Sequence, residues 1–164
     1  MTPRPRWALA RRLRLRSPCL VLFAGTLVLL ADTTGVLRIG ILCALLHECG
    51  HIAVFCLLLR RPQVLEVSLA GVCLSMRGVM LPPGRMLALA AAGPAVNLLL
   101  AAGMLAWMDG PGQYGYFDMW FAATHLLVGG FNLLPLPGLD GWQIAASLRA
   151  LAGRRRPLRL YHIK

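Results

Sequence analysis

Three residues near the first third of this chain have the types and spacing to bind and use a metal ion. His47, Glu48 and His51 form the pattern H-E-x-x-H. On an α-helix, residues four apart share a face, so the two imidazoles can reach the same metal ion. Glu48 is one position further round, where its carboxylate could take a proton from a metal-bound water. The pattern lies inside an apolar run from Val36 to Leu59, where ionisable groups are costly, which favours a functional reading.

A third metal ligand must come from elsewhere in the chain, because a catalytic zinc usually has three protein ligands and one open position. Among the remaining acidic residues and histidines, only Asp140 and His125 are expected near membrane depth. Asp140 ends a segment that begins at Asn132 and contains two prolines and a glycine. Broken backbone at that depth is tolerated where it lines a cavity or is buried in protein. We therefore predict Asp140 as the third ligand and His125 as a polar packing residue.

The composition indicates a membrane protein rather than a nucleic-acid-binding one. Of the 164 residues 58% are hydrophobic and 14% are charged, and the formal net charge is +11. The basic residues form clusters before the first apolar run, after the second and after the last, as the positive-inside rule describes. They do not form one face of a soluble module, so we expect no nucleic-acid partner.

The apolar segments predict an all-α polytopic membrane protein with about four transmembrane helices and with both termini in the cytoplasm. The predicted spans are residues 18–33, 36–59, 86–108 and 116–135, of which the first is short for a bilayer core. Residues 18–152 then form a single domain. A basic cytoplasmic segment, residues 1–17, precedes it, and a basic cytoplasmic tail, residues 153–164, follows it.

A different pattern lies between the second and third predicted spans. Apolar and polar residues alternate from Val64 to Leu69 and again from Val72 to Arg77, on either side of Ala70-Gly71. This alternation predicts a membrane-associated β-hairpin over residues 64–79. Its apolar face could dip into the membrane interface, or its edge could capture an extended peptide. The sequence favours neither.

Three motifs together resemble the site-2 protease family of intramembrane zinc metalloproteases, close to its small bacterial members related to the sporulation factor protease. The first is His47-Glu48-Cys49-Gly50-His51. The second is Gly93-Pro94-Ala95-Val96-Asn97, and the third is Asn132 to Gly141, which fits N-x-x-P-x-P-x-L-D-G at every fixed position. The matches span residues 47 to 141, in the order and with the spacing of the family.

The resemblance implies the roles of the site residues. One Zn²⁺ per chain would be held by His47, His51 and Asp140, with Glu48 as the general base. Asn132 would help to hold the substrate backbone. For Asn97, an interhelical hydrogen bond and a direct contact with the substrate are both open.

The resemblance also implies an endopeptidase that cleaves transmembrane proteins or peptides within the lipid bilayer, in regulated intramembrane proteolysis. A multi-pass protein of the bacterial plasma membrane is expected. Four helices are few for this family, so a homo-oligomer or a regulatory membrane partner is plausible. The alternatives are a non-catalytic zinc-binding scaffold, which would have no use for Glu48, and a metal transporter, which would more often show internal repeats.

Overall fold

The computed structural model describes residues 13–15, 18–59, 64–68, 71–75, 80–110, 114–153 and 158–159. This part of the chain is mostly helical. Its helices are α1 (Pro18–Ala31), α2 (Val36–Leu59), α3 (Pro83–Asp109), α4 (Tyr116–Asn132) and α5 (Asp140–Ala152).

Short strands accompany the helices: β1 (Leu13–Leu15), β2 (Val64–Ser68), β3 (Gly71–Ser75), β4 (Met80–Leu81) and β5 (Leu158–Arg159). β2 pairs with β3 in antiparallel register, with Leu65 opposite Leu74, and β1 adds to β2 in parallel. β4 and β5 form a separate antiparallel pair. Residues 69–70 and 76–79 lie outside the described residues, so the hairpin over 64–79 as a whole stays a prediction.

α3 is the central helix, because it contacts α2, α4 and α5. Small residues let its neighbours approach closely. A Cβ atom added at Gly50 of α2 would lie 2.7 Å from the carbonyl oxygen of Ala92. A Cβ added at Gly129 of α4 would lie 3.1 Å from Cβ of Asn97. Such close approaches at glycine are typical of helices that pack within a membrane.

Two helices in the described part of the chain are long and apolar enough to cross a membrane. They are Val36–Leu58, with 23 residues, and Pro83–Asp109, with 27. Large apolar side chains stay exposed on the outside of the bundle, among them Leu57, Leu99 and Leu127, each more than 70% exposed. Lipid solvates such a surface better than water does, so the helices indicate a membrane protein.

The number of spans stays a prediction. α1 has 14 residues and α4 has 17, whereas a bilayer core needs about 20 residues of helix. α4 also ends at Asn132, three positions before the end of the predicted fourth span. The residues from Leu133 to Leu139 are not helical, and Gly138 has a φ of +94°, which favours glycine. α5 then begins at Asp140.

The start of α2 is capped by Asp32, which lies in the turn after α1. Its carboxylate accepts hydrogen bonds from the backbone N–H groups of Arg38 (3.0 Å) and Leu37 (3.4 Å). Nε of Arg38 lies 3.6 Å from the same carboxylate. These contacts satisfy donors that the first turn of a helix otherwise leaves unpaired.

We expect Asp32→Ala to destabilise the protein without affecting metal binding. The melting temperature in detergent should fall by about 2–4 °C, as is typical for the loss of one helix cap in a chain of this size. Thr33→Ala, at the exposed neighbouring position, is the control and should leave the melting temperature unchanged. Equal melting temperatures for both variants would show that the cap contributes nothing.

Candidate metal centre

The two histidines of α2 face the interior of the bundle. His47 is 6% exposed and His51 is 1% exposed. Their Nε2 atoms are 3.1 Å apart, as expected for residues one helical turn from each other. The close packing of Gly50 on Ala92 brings this face of α2 against α3.

Asp140, the first residue of α5, brings its carboxylate to the same point. Its Oδ2 atom lies 3.1 Å from Nε2 of His47 and 3.3 Å from Nε2 of His51, and the residue is 2% exposed. Gly141 makes this approach possible, because a Cβ there would overlap the carbonyl oxygens of Leu133 and Leu134. The residues just after α4 and the first turn of α5 therefore pack backbone to backbone.

The hydrogen-bond partner of His51 determines which of its ring nitrogens is available to a metal ion. Nδ1 of His51 lies 2.9 Å from the carbonyl oxygen of Leu89, which can only accept. Nδ1 therefore carries the proton, and Nε2 of the neutral ring presents a lone pair. An ionised Asp140 is also an acceptor only. Converging lone pairs in a buried site are unfavourable unless a metal ion or a proton on Nε2 of His47 lies between them.

The geometry of the cluster fits a metal ion. The three ligand atoms form a triangle with edges of 3.1, 3.1 and 3.3 Å. Tetrahedral zinc with bonds of 2.0–2.2 Å requires separations of roughly 3.3 Å between its ligand atoms. Three protein ligands would leave one coordination position for water or substrate, as in catalytic zinc sites. His47, His51 and Asp140 could therefore hold a metal ion.

A cavity of about 150 Å³ opens beside this triangle. Its lining includes His47, Asp140, Glu48 and Asn132. Glu48 is half-buried and does not belong to the three-ligand group. Nδ2 of Asn132 donates a 2.8 Å hydrogen bond to the carbonyl oxygen of Val128, which fixes the amide at the cavity wall. The volume is enough for about five water molecules or a short piece of backbone.

Asn97 lies behind His47 on the side away from the cavity. It is fully buried, with Nδ2 at 3.1 Å from Nδ1 of His47 and Oδ1 at 3.0 Å from Nδ1 of His125. His125 is also fully buried, and its ring packs edge-on against Phe121 at 4.4 Å between centroids. An interhelical hydrogen bond was one of the two roles that the sequence left open for Asn97, and the structure gives this residue His47 and His125 as partners. The spacing contained a signal for it, because Asn97 follows Gly93 by one helical turn on the face of α3 that meets α2.

We expect both His51→Ala and Asp140→Ala to remove the metal ion. Each change deletes one of three ligands, so the metal content of purified protein should fall from about one ion per chain towards zero. Elemental analysis of detergent-purified protein measures this directly. Asp109→Asn, at an exposed position outside the cluster, should retain the metal. Full metal content in either alanine variant would contradict the three-ligand site.

No protein-family model matches the sequence, and no curated protein matches it. Among solved structures, the chain is similar to the site-2 protease from Methanocaldococcus jannaschii, with a TM-score of 0.60 and 22% sequence identity. The similarity covers 85% of this chain and 67% of that one. The chain therefore has the fold of a site-2 protease.

Proposed function

We propose that this chain is a zinc metalloendopeptidase of the site-2 protease type, which hydrolyses peptide bonds within or near transmembrane segments of other membrane proteins. The observation that carries the proposal is the buried triangle of His47, His51 and Asp140 with Glu48 on the wall of the same cavity. The shared fold supports it.

The position of the site along α2 supports cleavage inside the bilayer. His51 lies eight residues before Leu59, the end of α2, and His47 lies eleven residues after Val36, its start. At 1.5 Å per residue these separations are about 12 and 17 Å. The reacting groups therefore lie well within the apolar length of the helix, where a substrate must be another membrane-embedded segment.

A transmembrane helix must be unwound before its backbone can react, because all its carbonyl groups are hydrogen-bonded within the helix. A strand edge would replace the hydrogen bonds that are lost. In the described part of the chain β3 pairs on one side only, with β2, and it contacts α2. We propose that this edge receives the unwound segment and directs it towards the cavity.

The chain's own residues then position the substrate and transfer the proton. A bound zinc ion would polarise the scissile carbonyl and lower the pKa of its water towards about 7. Glu48, on the cavity wall, takes the proton of the attacking water and passes it to the leaving amine. Asn132, held by the carbonyl of Val128, offers its amide to the substrate backbone. The low polarity around the site strengthens each of these interactions.

The remaining parts of the proposal concern the cellular setting. We propose a multi-pass protein of the bacterial plasma membrane that acts in regulated intramembrane proteolysis, alone, as a homo-oligomer or with a regulatory membrane partner. A non-catalytic zinc-binding scaffold is the alternative. A scaffold of this kind does not explain why a carboxylate, that of Glu48, lies on the cavity wall.

The decisive experiment is a cleavage assay with the full chain in liposomes. Purified zinc-loaded protein is mixed with a panel of single-span membrane peptides, and the products are identified by mass spectrometry. We expect cuts inside the apolar segments, stopped by a zinc chelator and restored by added zinc. Zinc-loaded protein that cleaves no member of the panel but retains peptides in a pull-down would favour the scaffold.

A further inference from the structure

The metal-binding histidines are both oriented from α3, but by different groups. Nδ1 of His51 donates to a backbone carbonyl, that of Leu89. Nδ1 of His47 faces a side chain instead, the amide of Asn97, at 3.1 Å. The orientation of His47 therefore depends on the side chain of one residue, which a substitution can remove.

The chemistry of imidazole determines what Asn97 must supply. A neutral histidine that binds metal through Nε2 carries its proton on Nδ1, which is then a donor. Of the two ends of the Asn97 amide only Oδ1 can accept that proton. Metal-bound His47 thus requires Oδ1 towards α2 and Nδ2 towards His125. The contacts are 3.1 and 3.0 Å, so a half-turn of the amide exchanges its ends at nearly unchanged distances.

His125 fixes the amide from the other side. With Nδ2 of Asn97 directed at it, Nδ1 of His125 must accept, and the ring proton then lies on Nε2, a buried atom with no hydrogen-bond partner among the described residues. Metal binding at His47 must therefore offset the cost of this unpaired N–H group. Both His125 and Asn97 are 0% exposed, so no water competes for these hydrogen bonds. Phe121 holds the imidazole plane. His125, Asn97 and His47 thus form a continuous chain of hydrogen bonds from α4 through α3 to α2.

We propose that Asn97 is a positioning residue, which holds the ring of His47 in the tautomer that presents Nε2 to the metal ion, and that His125 orients Asn97 in turn. The inference rests on the proposed metal site but not on proteolysis. It assigns Asn97 to the support of a ligand rather than to the substrate, since Asn97 is completely buried behind His47.

The test compares three variants of the full chain in detergent. Asn97→Leu keeps the side-chain volume and deletes both hydrogen bonds. Asn97→Asp keeps an oxygen that accepts from Nδ1 of His47, and the divalent metal offsets its added charge. His125→Phe keeps a ring against Phe121 and removes only the outer hydrogen bond. The readouts are the zinc dissociation constant from chelator competition, the visible spectrum of the Co²⁺-loaded protein and the melting temperature of the metal-free protein.

We expect Asn97→Leu to weaken zinc binding about 10–100-fold, as loss of an outer-shell partner typically does. Its Co²⁺ spectrum should shift, because the ligand field reports the orientation of His47. Asn97→Asp should recover most of the affinity, and His125→Phe should weaken zinc binding less than Asn97→Leu does. If Asn97→Leu fails to fold, His125→Phe provides the test, because zinc affinity equal to that of the unchanged protein would overturn the inference.

A purely interhelical hydrogen bond would give different results. Asn97→Leu would then lower the melting temperature while the zinc dissociation constant and the Co²⁺ spectrum stay as in the unchanged protein. That outcome overturns the inference and leaves the proposed function intact. Failure of the unchanged protein to bind zinc would overturn the metal site itself, together with everything that rests on it.

Discussion

Replacing Glu48 with glutamine is expected to remove nearly all peptide hydrolysis and to leave metal binding intact. Glutamine has the shape of glutamate but cannot take a proton from water at neutral pH. Glu48 lines the cavity and is not one of the three metal-binding residues. Loss of a general base typically costs about 10²–10⁴-fold in rate. Cleavage should therefore fall by about that factor, while elemental analysis still finds about one zinc ion per chain.

The neighbouring position on α2 provides the control for Glu48→Gln. Cys49 is exposed and does not line the cavity, so Cys49→Ala should cleave at the unchanged rate. Residual cleavage by Glu48→Gln near that rate would remove Glu48 from the proton transfer. Loss of zinc in Glu48→Gln would assign Glu48 to the support of the metal site instead.

The three residues of the candidate metal centre could be picked out from the sequence because their signals are local. His47 and His51 are one turn apart on a helix that the apolar run predicts. Asp140 could be found because few acidic residues occur in apolar surroundings and because prolines mark a break before it. The structure brings these three residues together, as Nε2 and Oδ2 atoms within 3.3 Å of one another.

Other features could not be read from the sequence, because they depend on how distant segments meet. Which residue of α2 Asn97 contacts depends on the register between α2 and α3, which no single segment encodes. β1 and β5, with three and two residues, are too short for an alternating pattern to appear. They fall in segments that we had predicted from charge alone as a basic N-terminal arm and a basic tail.

Gly93 of α3 packs directly against His47 and His51 of the H-E-x-x-H motif. Its replacement by alanine is expected to eliminate metal binding. A Cβ atom at this position would overlap Nε2 of His51 and lie 2.6 Å from Nε2 of His47. It would occupy space that the two ligand atoms and the ion need. Because interiors are close-packed, α3 cannot retreat without losing its contacts with α2 and α4. The histidines must turn away, and the triangle of ligand atoms is lost.

The same helix offers a matched control for Gly93→Ala. Gly103 is exposed, and a Cβ added there would meet nothing within 4 Å. Gly103→Ala should therefore keep full metal content and, through the higher helix propensity of alanine, the same or a higher melting temperature. Gly93→Ala should instead show little zinc by elemental analysis and no cleavage. Tight zinc binding by Gly93→Ala would mean that α2 and α3 lie further apart in the metal-bound protein than here.

The face of α3 that packs against α2 thus supports the candidate metal centre in two ways, through two residues that lie one helical turn apart. Gly93 leaves room for the ligand atoms, and Asn97 holds one of the rings in place. The two changes are distinguishable by experiment. Gly93→Ala removes the space, so excess zinc should not restore binding. Asn97→Leu leaves the space and weakens only the orientation of His47, so excess zinc should restore it.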